Sequence, residues 1–169
     1  MATSKQRVAI SALALSAAAL VARVGHEGYS DTAIIPTKGD VPTLGFGTTT
    51  RPDGSKVQMG DRTDPVKALQ RTMLYEEKSA DAIKRCITAP LNQVEYDIYS
   101  DFAYQYGAGA LCKSSITTAL NDGRYADACK ALLQYRFAAG YDCSTPGNKR
   151  CWGVWERQKT RFDKCMGAQ

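Results

Sequence analysis

Apolar and polar positions follow three successive patterns along the chain. An uncharged, alanine-rich run from Val8 to Ala22 comes first. Residues 28–60 then carry short apolar stretches separated by Gly, Pro, Thr and Asp, which is typical of short strands joined by turns. From residue 63 onwards the apolar positions recur at helical spacing. The chain is therefore expected to form one helix, then a small sheet of about three strands, then an all-helical region.

Residues that cap or break helices mark the boundaries in the helical region. Pro65 favours the first position of a helix, and the apolar spacing extends that helix to about Cys86. Asparagine and serine residues mark the starts of later helices, and glycine residues mark their ends. These helices are expected over residues 92–106, 114–121, 125–137 and 154–165, with a loop over residues 141–150.

This order of elements predicts an α+β fold. We expect a mostly helical lobe and a small three-stranded antiparallel sheet lobe, with a cleft between them that suits a polymer substrate. The predicted organisation is a first segment over residues 1–26, followed by one domain over residues 27–169. Within that domain, residues 27–62 would form the sheet lobe and residues 63–169 the helical lobe.

Charge and cysteine content narrow the class of protein. The 169 residues carry a formal net charge of +5, which suits a polyanionic partner such as nucleic acid, a membrane surface or the bacterial envelope. The chain has no block of like charges and no interleaving of basic and aromatic residues, which argues against nucleic acid. Six cysteines without a CxxC pair indicate structural disulfides in an oxidising compartment. They allow 15 pairings, and their spacing alone does not choose one.

Glu27, Asp40 and Thr43 are the candidates for chemistry. Cleavage of a glycosidic bond needs a proton donor at the leaving oxygen and a second group that handles water or stabilises the sugar cation. Glu27 directly follows the apolar run, and Thr43 begins an apparent strand. A hairpin that folds back on the helix end would bring all three together. On spacing alone, a turn residue that caps its own backbone explains Asp40 better than a catalytic role does.

The segment HEGYSDTAIIPTKGDVPTLGFGTT, at residues 26–49, resembles the signature of the phage lysozyme family, the T-even-lysozyme-like glycoside hydrolases. In that family a Glu-Gly pair ends the first helix, and a Thr opens a strand of the form T-x-G-x-G. Residues 90–140 resemble the family's helical core, and CWGVWERQKTRFDKC resembles its closing helix. The resemblance implies a lysozyme-like fold and a muramidase that cuts peptidoglycan by direct attack of water, with inversion. It assigns Glu27 as the general acid and Thr43 as the residue that helps place the water.

The middle acid departs from the family pattern. The family's spacing between Glu, Asp and Thr lands on Pro36 or Thr37, and neither side chain is a carboxylate. Asp40 is the nearest acid that could occupy the same space, with Asp31 as the alternative. A further departure is Thr48, which stands where many members of the family carry His.

The apolar run at the start has the basic-then-apolar order of a signal peptide or signal anchor. Its length of about 15 residues falls short of the roughly 20 that span a bilayer stably. A cleaved signal peptide, an ordinary core helix and a weak membrane anchor all fit. We favour the anchor, because cleavage at Ala22 would leave Glu27 without the rigid support that a catalytic carboxylate needs. The run also resembles the signal-arrest-release segment of one branch of these endolysins, which implies export, tethering and later release as the first helix.

Two other functions fit the same residues. A lytic transglycosylase also uses one glutamate but forms an anhydro sugar without water, and a non-catalytic protein could bind the cell wall on the same scaffold. We expect peptidoglycan and the inner membrane as partners, no nucleic acid, no metal or cofactor, and a monomer in the host periplasm. For the cysteines we predict three pairs: Cys86 with Cys112, Cys129 with Cys165, and Cys143 with Cys151.

Overall fold

A computed structural model describes residues 5–36 and 39–169, and within these ranges the chain has the predicted α+β composition. Helices predominate, and two small antiparallel sheets accompany them. The helices are α1 (Ala17–Glu27), α2 (Pro65–Cys86), α3 (Gln93–Tyr106), α4 (Ala108–Cys112), α5 (Ser115–Asn121), α6 (Tyr125–Ala131) and α7 (Trp152–Gly167), and the strands are β1 (Ser30–Ile34), β2 (Thr43–Gly45), β3 (Phe137–Ala138) and β4 (Tyr141–Asp142).

The chain divides into two compact units. One unit is Leu15–Lys78, and the other combines the residues up to Ala14 with Ser79–Gln169. The divisions between these units fall inside the apolar run and inside α2, and the first described residues pack into the core of the helical unit. The predicted boundaries after residues 26 and 62 stay predictions.

The helical unit is built around α3. The buried side chains of this helix include Tyr96, Tyr99 and Phe102, which belong to one apolar cluster with residues of α5, α6 and α7. Its N-terminus has a capping box, in which the Asn92 side chain accepts from the Glu95 N–H and the Glu95 carboxylate accepts from the Asn92 N–H. This confirms the predicted helix start.

The first described residues complete this core. Val8 exchanges two backbone hydrogen bonds with Leu91, both of 2.9 Å, and Ile10 and Leu13 are buried in the apolar cluster. The helix expected along the whole apolar run begins only at Ala17, because Ser16 caps it by accepting from the Ala19 N–H at 3.1 Å. None of the described helices is long and apolar enough to cross a bilayer. Residues 1–4 of the predicted first segment lie outside the described residues.

Helix α2 begins at Pro65 and ends at Cys86, as the sequence predicted. The helix expected over residues 125–137 is shorter than predicted, because α6 ends at Ala131 and a 3-10 turn, Leu132–Gln134, follows it. Strands β3 and β4 then form a hairpin where a loop was expected, and Ala139 and Gly140 make its turn with φ of 48° and 81°. The left-handed backbone of these two residues excludes a continued helix.

The smaller unit contains the sheet. Strands β1 and β2 pair antiparallel, with Ser30 opposite Gly45 and Ile34 opposite Thr43. Where a third strand was expected, the described residues form only isolated bridges, including one between Thr50 and Lys56. Its apolar cluster consists of Ala33, Leu44 and Val57, and Ala68 on α2 is also buried, a far smaller set than in the helical unit.

The structure contains the three predicted disulfides. Cys86–Cys112 ties the end of α2 to the end of α4, with Cα atoms 5.5 Å apart. Cys129–Cys165 joins α6 to α7, and Cys143–Cys151 closes the loop that follows β4. All three lie in the helical unit.

Loss of each disulfide should lower stability according to the length of chain that it closes. Cys129→Ala/Cys165→Ala opens a separation of 36 residues and should cost about 4 kcal/mol of unfolding free energy, because a longer loop restricts the unfolded chain more. Cys143→Ala/Cys151→Ala opens a separation of 8 residues and should cost about 2.5 kcal/mol. Urea unfolding of the two double variants measures the difference, and a larger loss for the shorter loop would contradict this expectation.

Candidate active site

Glu27 is the last residue of α1, and its side chain is exposed. The helix stops there because Gly28 adopts a φ of 69°, a left-handed backbone that side-chain-bearing residues rarely take. The carboxylate is therefore carried at the end of a helix, as the sequence predicted.

The turn after β2 approaches this carboxylate closely. Leu44 and Thr48 close the turn with backbone hydrogen bonds of 2.9 and 3.0 Å. At Gly47, which has a φ of 79°, an added Cβ would lie 3.0 Å from the Glu27 Oε2 atom. The absence of a side chain at residue 47 thus leaves room for the carboxylate.

Gly45 has a different role in the same turn. Its φ is 64°, and an added Cβ would lie only 2.7 Å from the Ala68 Cβ atom on α2. That distance is shorter than real carbon contacts, so Gly45 allows β2 to pack directly on α2. Of the two glycines of TLGFG, Gly45 therefore allows β2 to pack on α2, and Gly47 leaves room for the Glu27 carboxylate.

Thr43 is the first residue of β2 and is half-buried. Its hydroxyl donates to the Ile34 carbonyl oxygen at 3.4 Å, across the β1–β2 pair. Because Thr43 and Gly47 belong to one short segment, the structure places the T-x-G-x-G segment beside Glu27.

The candidates for the middle acid have local hydrogen bonds. Asp40 is exposed, and its Oδ1 atom accepts from the Val41 N–H at 2.8 Å, which is the hydrogen bond of a turn residue. Asp31 lies on β1, where its carboxylate accepts from the Thr32 hydroxyl at 3.1 Å. Thr37, to which the family spacing points, lies outside the described residues. The assignment of Asp40 stays a prediction.

Arg23 is a site residue that the sequence analysis missed. It lies one helical turn before Glu27, is 1% exposed, and is the buried residue of α1. Its guanidinium forms an ion pair with the Glu76 carboxylate on α2. In the sequence Arg23 is simply the basic residue that follows the apolar run, and no pattern marks Glu76 as its partner.

The rest of the smaller unit contains an ion pair and an aromatic contact. Arg51 makes two hydrogen bonds of 2.7 Å to the Asp61 carboxylate, which lower the pKa of Asp61 to about 2. The Tyr29 ring lies 5.3 Å from the Phe46 ring, between their centroids. Desolvation, followed by the charges of nearby aspartates, raises the pKa of the Tyr29 hydroxyl. The described residues contain no group of His, Cys, Asp and Glu that could hold a metal ion.

A glutamate at the end of the first helix, met by the glycine turn of a following hairpin, is the arrangement of the lysozyme class. The phage lysozyme family model matches residues 24–159, and the chain belongs to this family. The protein is accordingly a glycoside hydrolase of the lysozyme type.

Known proteins agree with this assignment. The endolysin of Salmonella phage P22 is 29% identical over 113 residues, which cover 67% of this chain and 77% of that relative. A solved endolysin from Escherichia coli O157:H7 phage FAHEc1 aligns with a TM-score of 0.77 at 24% identity, covering 94% of this chain and 96% of that one. The muramidase domain of SpmX from Asticaccaulis excentricus aligns with a TM-score of 0.72 at 17% identity, covering 90% of this chain and 97% of that one. These structural likenesses confirm the lysozyme-like fold.

Substitution of Gly47 should reduce activity more than stability. Gly47→Ala would push on the Glu27 carboxylate, and small displacements of a catalytic group cost about tenfold or more in rate. Gly54→Ala is the matched control, because Gly54 has a φ of 86° but open space around it. Both variants should lose about 1–2 kcal/mol of stability from the strained backbone.

Rates of cell-wall clearing and urea unfolding curves, measured on the same preparations, compare the two glycine variants. Equal activity of Gly47→Ala and Gly54→Ala would show that the approach to Glu27 does not matter.

Proposed function

We propose that this protein is an endolysin that hydrolyses the β-1,4 bond between N-acetylmuramic acid and N-acetylglucosamine in peptidoglycan, and so lyses the bacterial host. The position of Glu27, held at the end of α1 with Gly47 against its carboxylate, is the observation that carries this proposal. Membership of the phage lysozyme family supports the same chemistry.

In the proposed mechanism Glu27 donates a proton to the leaving glycosidic oxygen. A water attacks the sugar from the opposite face, which inverts the configuration at the anomeric carbon. Thr43 helps place this water, and Asp40 assists it or stabilises the developing positive charge. The exposed carboxylate of Asp40 and the segment shared by Thr43 and Gly47 support these roles.

Glu27→Gln should abolish lysis, because an amide is not acidic enough to protonate the leaving oxygen. We expect a loss of about a hundredfold or more on purified peptidoglycan, the usual contribution of a general acid. Glu77→Gln makes the same substitution at an exposed position of α2 and should leave the rate unchanged. A zymogram with both variants provides the measurement, and retained lysis by Glu27→Gln would remove Glu27 from this role.

Product masses from the unaltered enzyme separate the three candidate functions. Hydrolysis adds one water to each cut, whereas a lytic transglycosylase adds none. Binding to the wall without any product would indicate a non-catalytic protein. Asp40→Asn and Asp31→Asn, compared in the same assay, identify the middle acid.

The N-terminal segment is proposed to tether the enzyme to the inner membrane until release, with the enzyme in the host periplasm. The weakly apolar run and its basic flanks support this proposal. In the folded enzyme Val21 is 68% exposed, so part of the run remains without apolar burial. The three disulfides fit an oxidising compartment on the outer side of that membrane.

Deletion of residues 1–24 should abolish activity, because it removes Arg23 and nearly all of the helix that supports Glu27. The measurement is peptidoglycan hydrolysis by the truncated protein, with circular dichroism as the check on folding. Val21→Gln keeps the helix and should leave the soluble enzyme active while lowering its share in the membrane fraction. A fully active truncated enzyme would contradict the proposed role of the segment.

A further inference from the structure

The apolar run has an arginine immediately before it and another immediately after it, and both arginines pair with buried glutamates. Arg7 precedes Val8 and contacts Glu95 on α3, which is fully buried. Arg23 follows Ala22 and contacts Glu76 on α2, which is 8% exposed. Each pair lies within one of the two compact units.

The Arg7–Glu95 pair is extensively hydrogen-bonded. The Arg7 Nη2 atom donates to the Glu95 Oε1 atom at 2.7 Å, and Nε donates to Oε2 at 3.0 Å. The guanidinium lies over the Tyr125 ring, 3.6 Å from its centroid. The Gln169 side-chain amide donates to the same carboxylate at 3.0 Å. The chain before the apolar run is thus fixed to α3, α6 and the C-terminus.

The Arg23–Glu76 ion pair connects α1 to α2. Arg23 is buried, whereas the other residues of α1 are exposed or half-buried. On α2, Thr72 lies one turn before Glu76 and is buried on the same face. The Arg23–Glu76 ion pair is therefore the buried polar contact between α1 and α2, and Glu27 lies one turn beyond it.

A buried ion pair responds asymmetrically to the loss of one member. The pair as a whole adds little net stability, but a single charge left buried without its partner is strongly unfavourable. Such pairs are best attested where they fix one arrangement against another. A run of apolar residues flanked by arginines has a second environment available, because basic residues at the ends of a membrane segment lie at the lipid surface.

We propose that Glu76 and Glu95 bind the two flanking arginines, and that the two ion pairs hold the released N-terminal segment in the folded enzyme. Arg23 is then a positioning residue for Glu27, because its ion pair fixes α1 on α2. While the run is in the membrane, both glutamates lack their cations and the site is not assembled. This inference rests on the proposed function in taking the run as the tether and Glu27 as the proton donor.

Hydrogen exchange of the soluble full-length enzyme, followed by mass spectrometry, tests the two pairs separately. Glu76→Gln should speed exchange in residues 17–27 by about tenfold or more, because it removes the charge that seats α1. Glu95→Gln should do the same in residues 5–14, since glutamine preserves the capping box and only the charge is lost. Glu77→Gln, the exposed neighbour on α2, should change neither segment.

Kinetics add a readout that general destabilisation would not give. Glu76→Gln should lower kcat about tenfold or more with little change in KM, because it displaces the proton donor and leaves the glycan-binding surface in place. The exchanged pair, Arg23→Glu with Glu76→Arg, should restore slow exchange in residues 17–27 and part of kcat.

Three results would overturn the proposal. The first is hydrogen exchange that stays as slow as in Glu77→Gln, both in residues 17–27 of Glu76→Gln and in residues 5–14 of Glu95→Gln. The second is faster exchange spread evenly over the chain in both Glu76→Gln and Arg23→Met, which would make the pair a determinant of the whole fold. The third is hydrogen exchange in residues 17–27 of the Arg23→Glu/Glu76→Arg variant that stays as fast as in Glu76→Gln. Lysis retained by Glu27→Gln would instead refute the proposed function and leave the exchange result standing.

Discussion

The close approach of the Gly47 backbone to the Glu27 carboxylate constrains much of the smaller unit. An added Cβ at residue 47 would lie 3.0 Å from the Glu27 Oε2 atom, and the left-handed backbone of residue 47, with a φ of 79°, independently favours glycine. This turn follows β2, and β2 packs closely on α2 because Gly45 has no side chain. Two residues without side chains thus let one short segment meet the end of α1 at residue 47 and pack on α2 at residue 45.

The forces that hold the two units differ. The helical unit has a large apolar cluster and three disulfides. The unit with Glu27 has three buried apolar residues in its own cluster, together with the Arg51–Asp61 and Arg23–Glu76 ion pairs. Local opening is easier where fewer apolar contacts must be broken. Because all six cysteines follow residue 85, the disulfides stabilise the helical unit, whereas the unit with Glu27 is held by fewer apolar contacts and by ion pairs.

Much of the fold could be predicted because local signals fixed it. Pro65 and the apolar spacing determined α2, and Asn92 with Glu95 determined the start of α3. The failures have physical causes that sequence spacing does not reveal. The apolar run was expected to be one helix, but Ser16 caps the helix inside it and the preceding residues pair with Leu91. The pairing of Val8 with Leu91, which is distant in sequence, contributed to that outcome. The β3–β4 hairpin, in contrast, is a local pairing of residues 137–138 with residues 141–142 that the apolar spacing did not indicate.

The candidate site shows the same limit at the level of single residues. Glu27, Gly28 and Thr43 could be found from a contiguous segment, because their spacing is the family's motif. Arg23 could not, since its partner Glu76 is 53 residues away on another helix (76 minus 23) and nothing in the sequence links the two. The same holds for Arg7 and Glu95.

Both ends of the apolar run are thus attached through charges, while Val21 within it stays exposed. Under the proposal that the run is the tether, charge pairs that form only in the folded enzyme favour the folded arrangement of the segment over the membrane. Arg23 lies in the helix that ends at Glu27, and Arg7 attaches the chain before the run to α3.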